Sequence, residues 1–332
     1  MKRFFICILL SCLSSALFLF YLDHNNDTQL NQSEIDAIMT VSEPSSISLR
    51  LVNDNKTINL NIEDYILGVA ANEMPPDYNI EAIKAQIVAV RSYVLNRLYH
   101  QDIKTTSDLH KEAILCNSTH CVKWYPFETA IKKWDTEKID EYKKKFRTAL
   151  AETKGEYITY NNTPAITFWH KISHGKTENS LDIFGLDYPY HQSVLSESDK
   201  YAPGYISRVI YPKEAFVTIM SGLKADTFNE KDFSNDILGN ITHTSGGCVA
   251  SIQINNEIYS GQEIMNAFKL KSTFFTINFD GTDVVFNVKG DGHCVGMSQF
   301  GANVMANNGS SYKDILYYYY PGIYISSLNH IA

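Results

Sequence analysis

Two adjacent prolines, Pro75 and Pro76, interrupt a stretch that is otherwise helical in character. A proline inside a helix removes a backbone donor and clashes with the preceding turn, so no single helix can run from Asp64 to Leu98. Upstream, Glu63-Asp64 suits the first turn of a short helix through Ala71, because acidic groups favour the positive end of the helix dipole. Downstream, Asn79 is an N-cap for a run in which Ile80, Ile83, Ile87, Val90, Val94 and Leu98 recur every three or four residues, which predicts an amphipathic helix. Glu73 is left at the junction. A carboxyl group pinned there by Met74-Pro75-Pro76 can sit in a partly desolvated cleft, which disfavours its ionised form and suits general acid chemistry. The plain alternative is a helix-terminal glutamate pointing into water.

The rest of the chain supplies the frame. Ser46 to Val52 and Lys56 to Ile62 alternate apolar and polar residues across Asn53-Asp54-Asn55, a hairpin signal. Residues 130 to 153, with Lys132, Lys133, Glu137, Lys138 and Lys143 to Lys145, read as one helix with a solvated face. Beyond residue 155 short strands are expected at 156–160, 206–211, 247–254, 273–279 and 284–288, then a helix at 299–306 and a further turn or two at 312–319. The fold class is α+β: one large mixed helix and sheet domain, residues 46–332, with a cleft.

Ahead of that domain, Lys2-Arg3 precede an uncharged run from Phe4 to Leu22, nineteen residues long and about the length of one membrane-spanning helix. With no A-x-A-like cleavage site after it, residues 1–23 read as a signal-anchor rather than a cleaved signal peptide. The basic flank puts the N-terminus in the cytoplasm and the rest of this single-pass protein outside the cell membrane. Residues 24–45, polar and without apolar period, form a flexible tether. The net charge of −8, with no basic stripe, argues against a nucleic-acid partner.

Four of the six cysteines lie outside the apolar run. His110, Cys116, His120 and Cys121 gather two imidazoles and two thiols within twelve residues, the donor set of a closed, structural tetrahedral zinc site. A Cys116–Cys121 disulfide is the competing reading for an exported domain.

The segment Asp64-Tyr65-Ile66-Leu67-Gly68-Val69-Ala70-Ala71-Asn72-Glu73-Met74-Pro75, running into Glu81-Ala82-Ile83-Lys84-Ala85-Gln86 and Val90-Arg91-Ser92-Tyr93, resembles the signature of the stage II sporulation protein D family of lytic transglycosylases. Gly290-Asp291-Gly292-His293-Cys294-Val295-Gly296-Met297-Ser298-Gln299-Phe300-Gly301 resembles the family's second block, and Phe168-Trp169-His170-Lys171-Ile172-Ser173-His174-Gly175-Lys176-Thr177-Glu178 its Ser/Gly-rich cleft segment. Here the chain departs from the family pattern, with His170-Lys171 and His174 in the Ser/Gly run and Cys294 where glycine is common.

The resemblance implies that Glu73 is the catalytic acid, cleaving peptidoglycan glycan strands, preferentially those stripped of stem peptides, to 1,6-anhydromuramic acid ends during engulfment in endospore formation. The candidate substrate contacts are Lys84, Arg91, Trp169, His170, Ser173, His174, Thr177, His293 and Gln299. The resemblance also implies a structural zinc on the His110, Cys116, His120 and Cys121 cluster, no cofactor for catalysis, and stage II sporulation proteins P and M as partners between forespore and mother cell. A non-catalytic glycan-binding module that enhances a cell-wall amidase is the alternative from another class.

Overall fold

The computed structural model describes residues 45–100, 110, 113–224 and 237–328. The predicted signal-anchor and the tether through residue 44 lie outside the described residues; among those described, no helix is long and apolar enough to cross a membrane.

The expected hairpin forms: β1 (Ser46–Leu51) pairs antiparallel with β2 (Lys56–Asn61), with Asn55 left-handed in the turn. Asn61 then caps α1 (Ile62–Glu73), its side chain accepting from the backbone of Glu63 and Asp64. Pro75-Pro76 turn the chain, and Asn79 caps α2 (Ile80–Tyr99) through the N–H of Glu81. The sequence predicts an amphipathic α2, but the structure buries nearly all of its sides, because α1 and five later elements pack around it. Arg91, Ser92 and Asn96 on it are satisfied internally. Arg91 makes a paired contact with Glu63, with Nε to Oε1 at 2.9 Å and a terminal nitrogen to Oε2 at 2.8 Å, and donates to the carbonyls of Thr153 and Glu156. Ser92 accepts from Ile158 N at 2.7 Å, and Asn96 donates to Pro164 O at 2.8 Å. Lone pairs and donors left unpaired at such depth would each cost about 1–3 kcal/mol.

After α2 the short β3 (Leu115–Cys116) adds in parallel to β1. Residues 130–153 are not one helix. Instead α3 (Phe127–Ala130) ends in a 3-10 turn at Ile131–Lys133, Trp134 is extended, and α4 (Ile139–Glu152) begins afresh. The break seats the Trp134 ring against Phe127, Tyr142 and Phe146, with centroid separations of 6.0, 6.0 and 4.9 Å.

Two short strands follow α4: β4 (Glu156–Tyr160) pairs with β5 (Thr163–Pro164). Then come β6 (Trp169–His170), α5 (Ser180–Phe184) and β7 (Ile206–Pro212). The helix α6 (Lys213–Leu223) was not foreseen, nor was β8 (Leu238–His243). It leads to β9 (Val249–Ile254), β10 (Glu257–Ser260), α7 (Gly261–Ala267), β11 (Phe275–Asp280) and β12 (Asp283–Lys289). The chain closes with β13 (Met297–Ser298), α8 (Gln299–Asn307), α9 (Tyr312–Tyr319) and β14 (Tyr324–Ser327).

These elements make one compact mixed α/β unit, Ser46–Asn329, with two apolar cores. The first is centred on α2; β14 returns from the far end of the chain to complete its β14-β4-β5 sheet. The second lies between the sheets β11-β12-β7 and β10-β9-β8 and the helices α6 and α7, with the Phe268 ring packed on both Phe216 and Phe286.

Candidate active site

Glu73 is the last residue of α1, and the extended Met74 after it ends the helix as the two prolines require. Its half-buried carboxyl opens into a cleft of about 320 Å³ lined by Tyr93 and Arg97 of α2, the loop 119–123, Thr167 to Trp169, and His293. Burial raises the Glu73 pKa above the usual carboxylate range. That rise is held in check by the Trp169 side chain as hydrogen-bond donor, by the Lys171 charge, by the Asn72 amide at 3.3 Å and by the Lys133 charge. Lys133, predicted as part of a solvated helix face, instead lies on the 3-10 turn and donates to Asn72 O at 2.8 Å. Neither Asp182 nor Glu178, the acids nearest the Trp169 segment in sequence, joins Glu73 there. Asp182 accepts from Ser245 N at 2.9 Å, Glu178 is engaged by His174 and Cys248, and among the described residues Glu73 is the only carboxylate that lines the cleft.

Trp169 is held by β6, which pairs in parallel with β13 through Met297. The pairing depends on Gly296, which sits at φ +74°: a Cβ there would lie 2.1 Å from the Phe168 carbonyl oxygen. Trp169 packs edge-on against Tyr93 of α2, with 6.2 Å between centroids. The glycine-rich segment before β13 brings in His293, whose ring contacts Phe184, His170 and Phe168. Burial lowers the His293 pKa to about 4, so the ring is neutral at physiological pH, and its Nδ1 accepts from Val295 N at 3.0 Å. The proton therefore resides on Nε2, a donor. His170 lies buried behind it, bonded through Nδ1 to Val295 O at 3.2 Å.

The remaining expected contacts lie elsewhere. Lys84 is clamped by Glu81 and Glu152, both at 2.6 Å, and Arg91 is committed to Glu63; neither lines the cleft. Ser173 donates its backbone N–H to Asp199 Oδ2 at 2.7 Å, Thr177 accepts from Val194 N, and Gln299 donates to Gln86 at 3.2 Å. All three are buried scaffold, and His174 is turned toward Glu178. Their motifs are legible in sequence, but which side of the loop each faces is set by tertiary packing. Conversely Tyr93, Arg97, Thr119 and Lys123 line the cleft without having been singled out.

His110, Cys116, His120 and Cys121 converge so that one ligand atom from each lies within 4.8 Å of all the others. His110 Nε2 is 2.9 Å from both His120 Nδ1 and Cys121 Sγ, and Cys116 Sγ is 3.9 Å from His120 Nδ1. Cys116 and Cys121 are free thiols. Burial pushes the Cys121 thiol up to about 11, so a thiolate there calls for a cation beside it. Two thiols and two imidazoles in such proximity fit a tetrahedral ion and leave it no open position. His120 and Cys121 also line the cleft, so the cluster forms part of its wall.

The profile of the stage II sporulation protein family matches residues 53–160. Stage II sporulation protein D of Bacillus subtilis (strain 168) is 31% identical over 343 residues, covering 98% of this chain and 96% of the relative. Its namesake in Bacillus amyloliquefaciens is 31% identical over 285 residues, 85% of this chain and 79% of the relative. The amidase enhancer of Bacillus subtilis (strain 168) is 24% identical over 310 residues, 78% of this chain but 40% of its own length. On the strength of near full-length identity to two such proteins, this chain belongs to the stage II sporulation protein D family.

Proposed function

We propose that this sporulation protein is a peptidoglycan lytic transglycosylase in which Glu73 is acid and then base. The observation that carries the reading is a single carboxyl group with a raised pKa in a cleft that no other carboxylate among the described residues lines. A hydrolase of the usual kind needs two carboxyl groups, one to protonate the leaving oxygen and one to act as nucleophile or to activate water. One carboxyl group suffices when the nucleophile is within the substrate. Protonated Glu73 gives its proton to the glycosidic oxygen as the C1–O bond breaks. The muramoyl 6-hydroxyl then attacks C1, closing the 1,6-anhydro ring, and its proton passes to the Glu73 carboxylate.

The surroundings fit both halves of that cycle. Burial favours the protonated acid, while Trp169, Asn72, Lys171 and Lys133 stabilise the carboxylate once the proton has left. The Trp169 ring and neutral His293 offer an apolar face and a hydrogen-bond donor to a sugar chain. The Cys116 cluster holds zinc structurally and takes no part in a proton step. In the cell the domain would act outside the membrane, tethered by residues 1–23, on glycan stripped of peptides, with stage II sporulation proteins P and M as partners.

The identity to the amidase enhancer favours a second reading, a non-catalytic module that stimulates an amidase. Incubation of the full chain with peptide-free glycan strands, followed by mass spectrometry of the ends, separates the two. Anhydromuramic ends support the transglycosylase; reducing ends mean a hydrolase; intact strands with stimulated amidase favour the module.

A further inference from the structure

A second cluster of ligating side chains lies outside the cleft. His174, Glu178 and Cys248 each offer a ligand atom, and all three atoms lie within 4.8 Å of one another. They come from separate parts of the chain: the loop between β6 and α5, and the turn that joins β8 to β9. His174 Nε2 is 3.1 Å from Glu178 Oε1, which also accepts from Cys248 N at 3.0 Å. The thiol of Cys294 is in hydrogen-bond contact with that of Cys248. Glu178, Cys248 and Cys294 are fully shielded from solvent, and His174 is nearly so.

We propose that His174, Glu178 and Cys248 bind a second zinc-class divalent cation, with the Cys294 sulfur at hand for the fourth position, and that this ion staples the two cores of the domain together.

Three observations carry this. First, Glu178 is a buried carboxylate whose Oε2 has no hydrogen-bond partner of good geometry among the described residues, with Thr244 beside the group. A buried charge is stable only when paired or coordinated, and the His174 and Cys248 N contacts both fall on Oε1, which leaves the other oxygen for a cation. Second, charge balances: a neutral imidazole, one carboxylate and one thiolate neutralise a dication, so the assembled site can lie in the interior without net charge. Third, His174 and Cys294 are two of the positions at which the sequence departs from the family pattern, and the fold brings both to Cys248. The turn is shaped for the contact as well, since a Cβ on Gly246 would fall 2.4 Å from the Glu178 carboxyl carbon.

The same three residue types could instead be a nucleophilic cysteine with its base and orienting acid. Complete burial of Cys248 argues against that, because a substrate has no approach, and the Phe274 ring stacks on His174 with centroids 4.3 Å apart. A closed site with protein ligands on every side is structural.

The test is metal content of the purified full chain, loaded with Zn²⁺ or Co²⁺ and dialysed, with Cys248→Ser, Glu178→Gln and Cys116→Ser in parallel. Wild type should hold two equivalents and each variant one. The Co²⁺ form of C248S should lose part of the sulfur-to-cobalt absorption while E178Q loses cobalt stoichiometry. E178Q keeps the shape of the side chain and carries the test if C248S fails to fold. Wild type with one equivalent, lost in C248S and E178Q and kept in C116S, would uphold this site and overturn the one at Cys116. One equivalent that C248S or E178Q retains, or a Cys248–Cys294 disulfide on peptide mapping without reductant, overturns the proposal.

Discussion

Met297 and Trp169 are register partners in a two-stranded parallel ladder that joins distant parts of the chain at the mouth of the cleft. Through it the glycine-rich segment that carries His293 is fixed against the strand whose tryptophan faces Glu73. The aromatic platform and the histidine thus share one short piece of sheet as their common reference, set against the acid on α1.

Glu73→Gln should reduce glycan cleavage by about 10²–10⁴-fold or more, since the amide keeps the shape but has no acidic proton. Its effect on stability has a definite sign. A carboxyl group whose folded pKa is raised above the unfolded value costs stability as pH rises through that window, so Glu73 opposes folding above it. The variant should melt at the same temperature as wild type near pH 4 and at the same or a higher temperature at pH 7. Wild-type turnover from the purified variant would remove Glu73 from the mechanism.

Trp169→Phe separates the donor from the ring. The Trp169 hydrogen bond lowers the Glu73 pKa, so its loss should let burial carry that pKa further upward. Cleavage requires the protonated acid, so the basic limb of the pH–rate profile should move to higher pH while the maximal rate falls. An unchanged profile would mean the indole N–H does not act on the acid. Trp169→Ala also removes the packing on Tyr93 and should cost about 3–5 kcal/mol.

Gly296→Ala tests the ladder. The left-handed backbone alone costs a non-glycine residue about 1–3 kcal/mol, and the added Cβ also meets the Phe168 carbonyl. At about 2–4 °C per kcal/mol for a domain of this size, a midpoint drop of several degrees is expected. Full retention of the melting temperature would show that β6 and β13 can separate without consequence.

Local signals carried much of this architecture. Asn61 and Asn79 cap the helices that Glu63-Asp64 and the isoleucine period announce, and the strands after residue 155 fall close to their apolar runs. The long helix expected over residues 130–153 failed because the need to bury Trp134 among three rings overrode the helical preference of its neighbours. The place of Glu73 at a helix end was legible because the prolines stop α1 there, whereas its turn into a cleft depends on elements remote in sequence. Lys84 and Arg91 were misread for the converse reason: a charged residue on a helix is drawn into ion pairs by elements remote in sequence, here Glu152 for Lys84 and the Thr153 and Glu156 carbonyls for Arg91. No local pattern announces such partners. The convergence of His174 and Glu178 with Cys248 is likewise a product of two loops meeting.

The cluster at Cys116 gives the last prediction. Its ligand atoms lie close enough for one tetrahedral ion, and its loop, residues 119–123, forms one wall of the cleft. Cys116→Ser should therefore remove one equivalent of zinc and lower the melting temperature, because metal bound only by the folded chain adds its binding free energy to folding. Bound thiolates compete with protons, so this stability is present at neutral pH and lost on acidification, and a chelator should mimic the variant. The acid itself sits on α1, so the kinetic signature should be a rise in KM for glycan that exceeds the fall in kcat. A Cys116–Cys121 disulfide would give the reverse pattern: no metal at this cluster, two fewer free thiols, and sensitivity to reductant but not to chelator. Were kcat to vanish on zinc removal while the fold and KM persisted, the metal would have to be moved from the wall of the cleft into its chemistry.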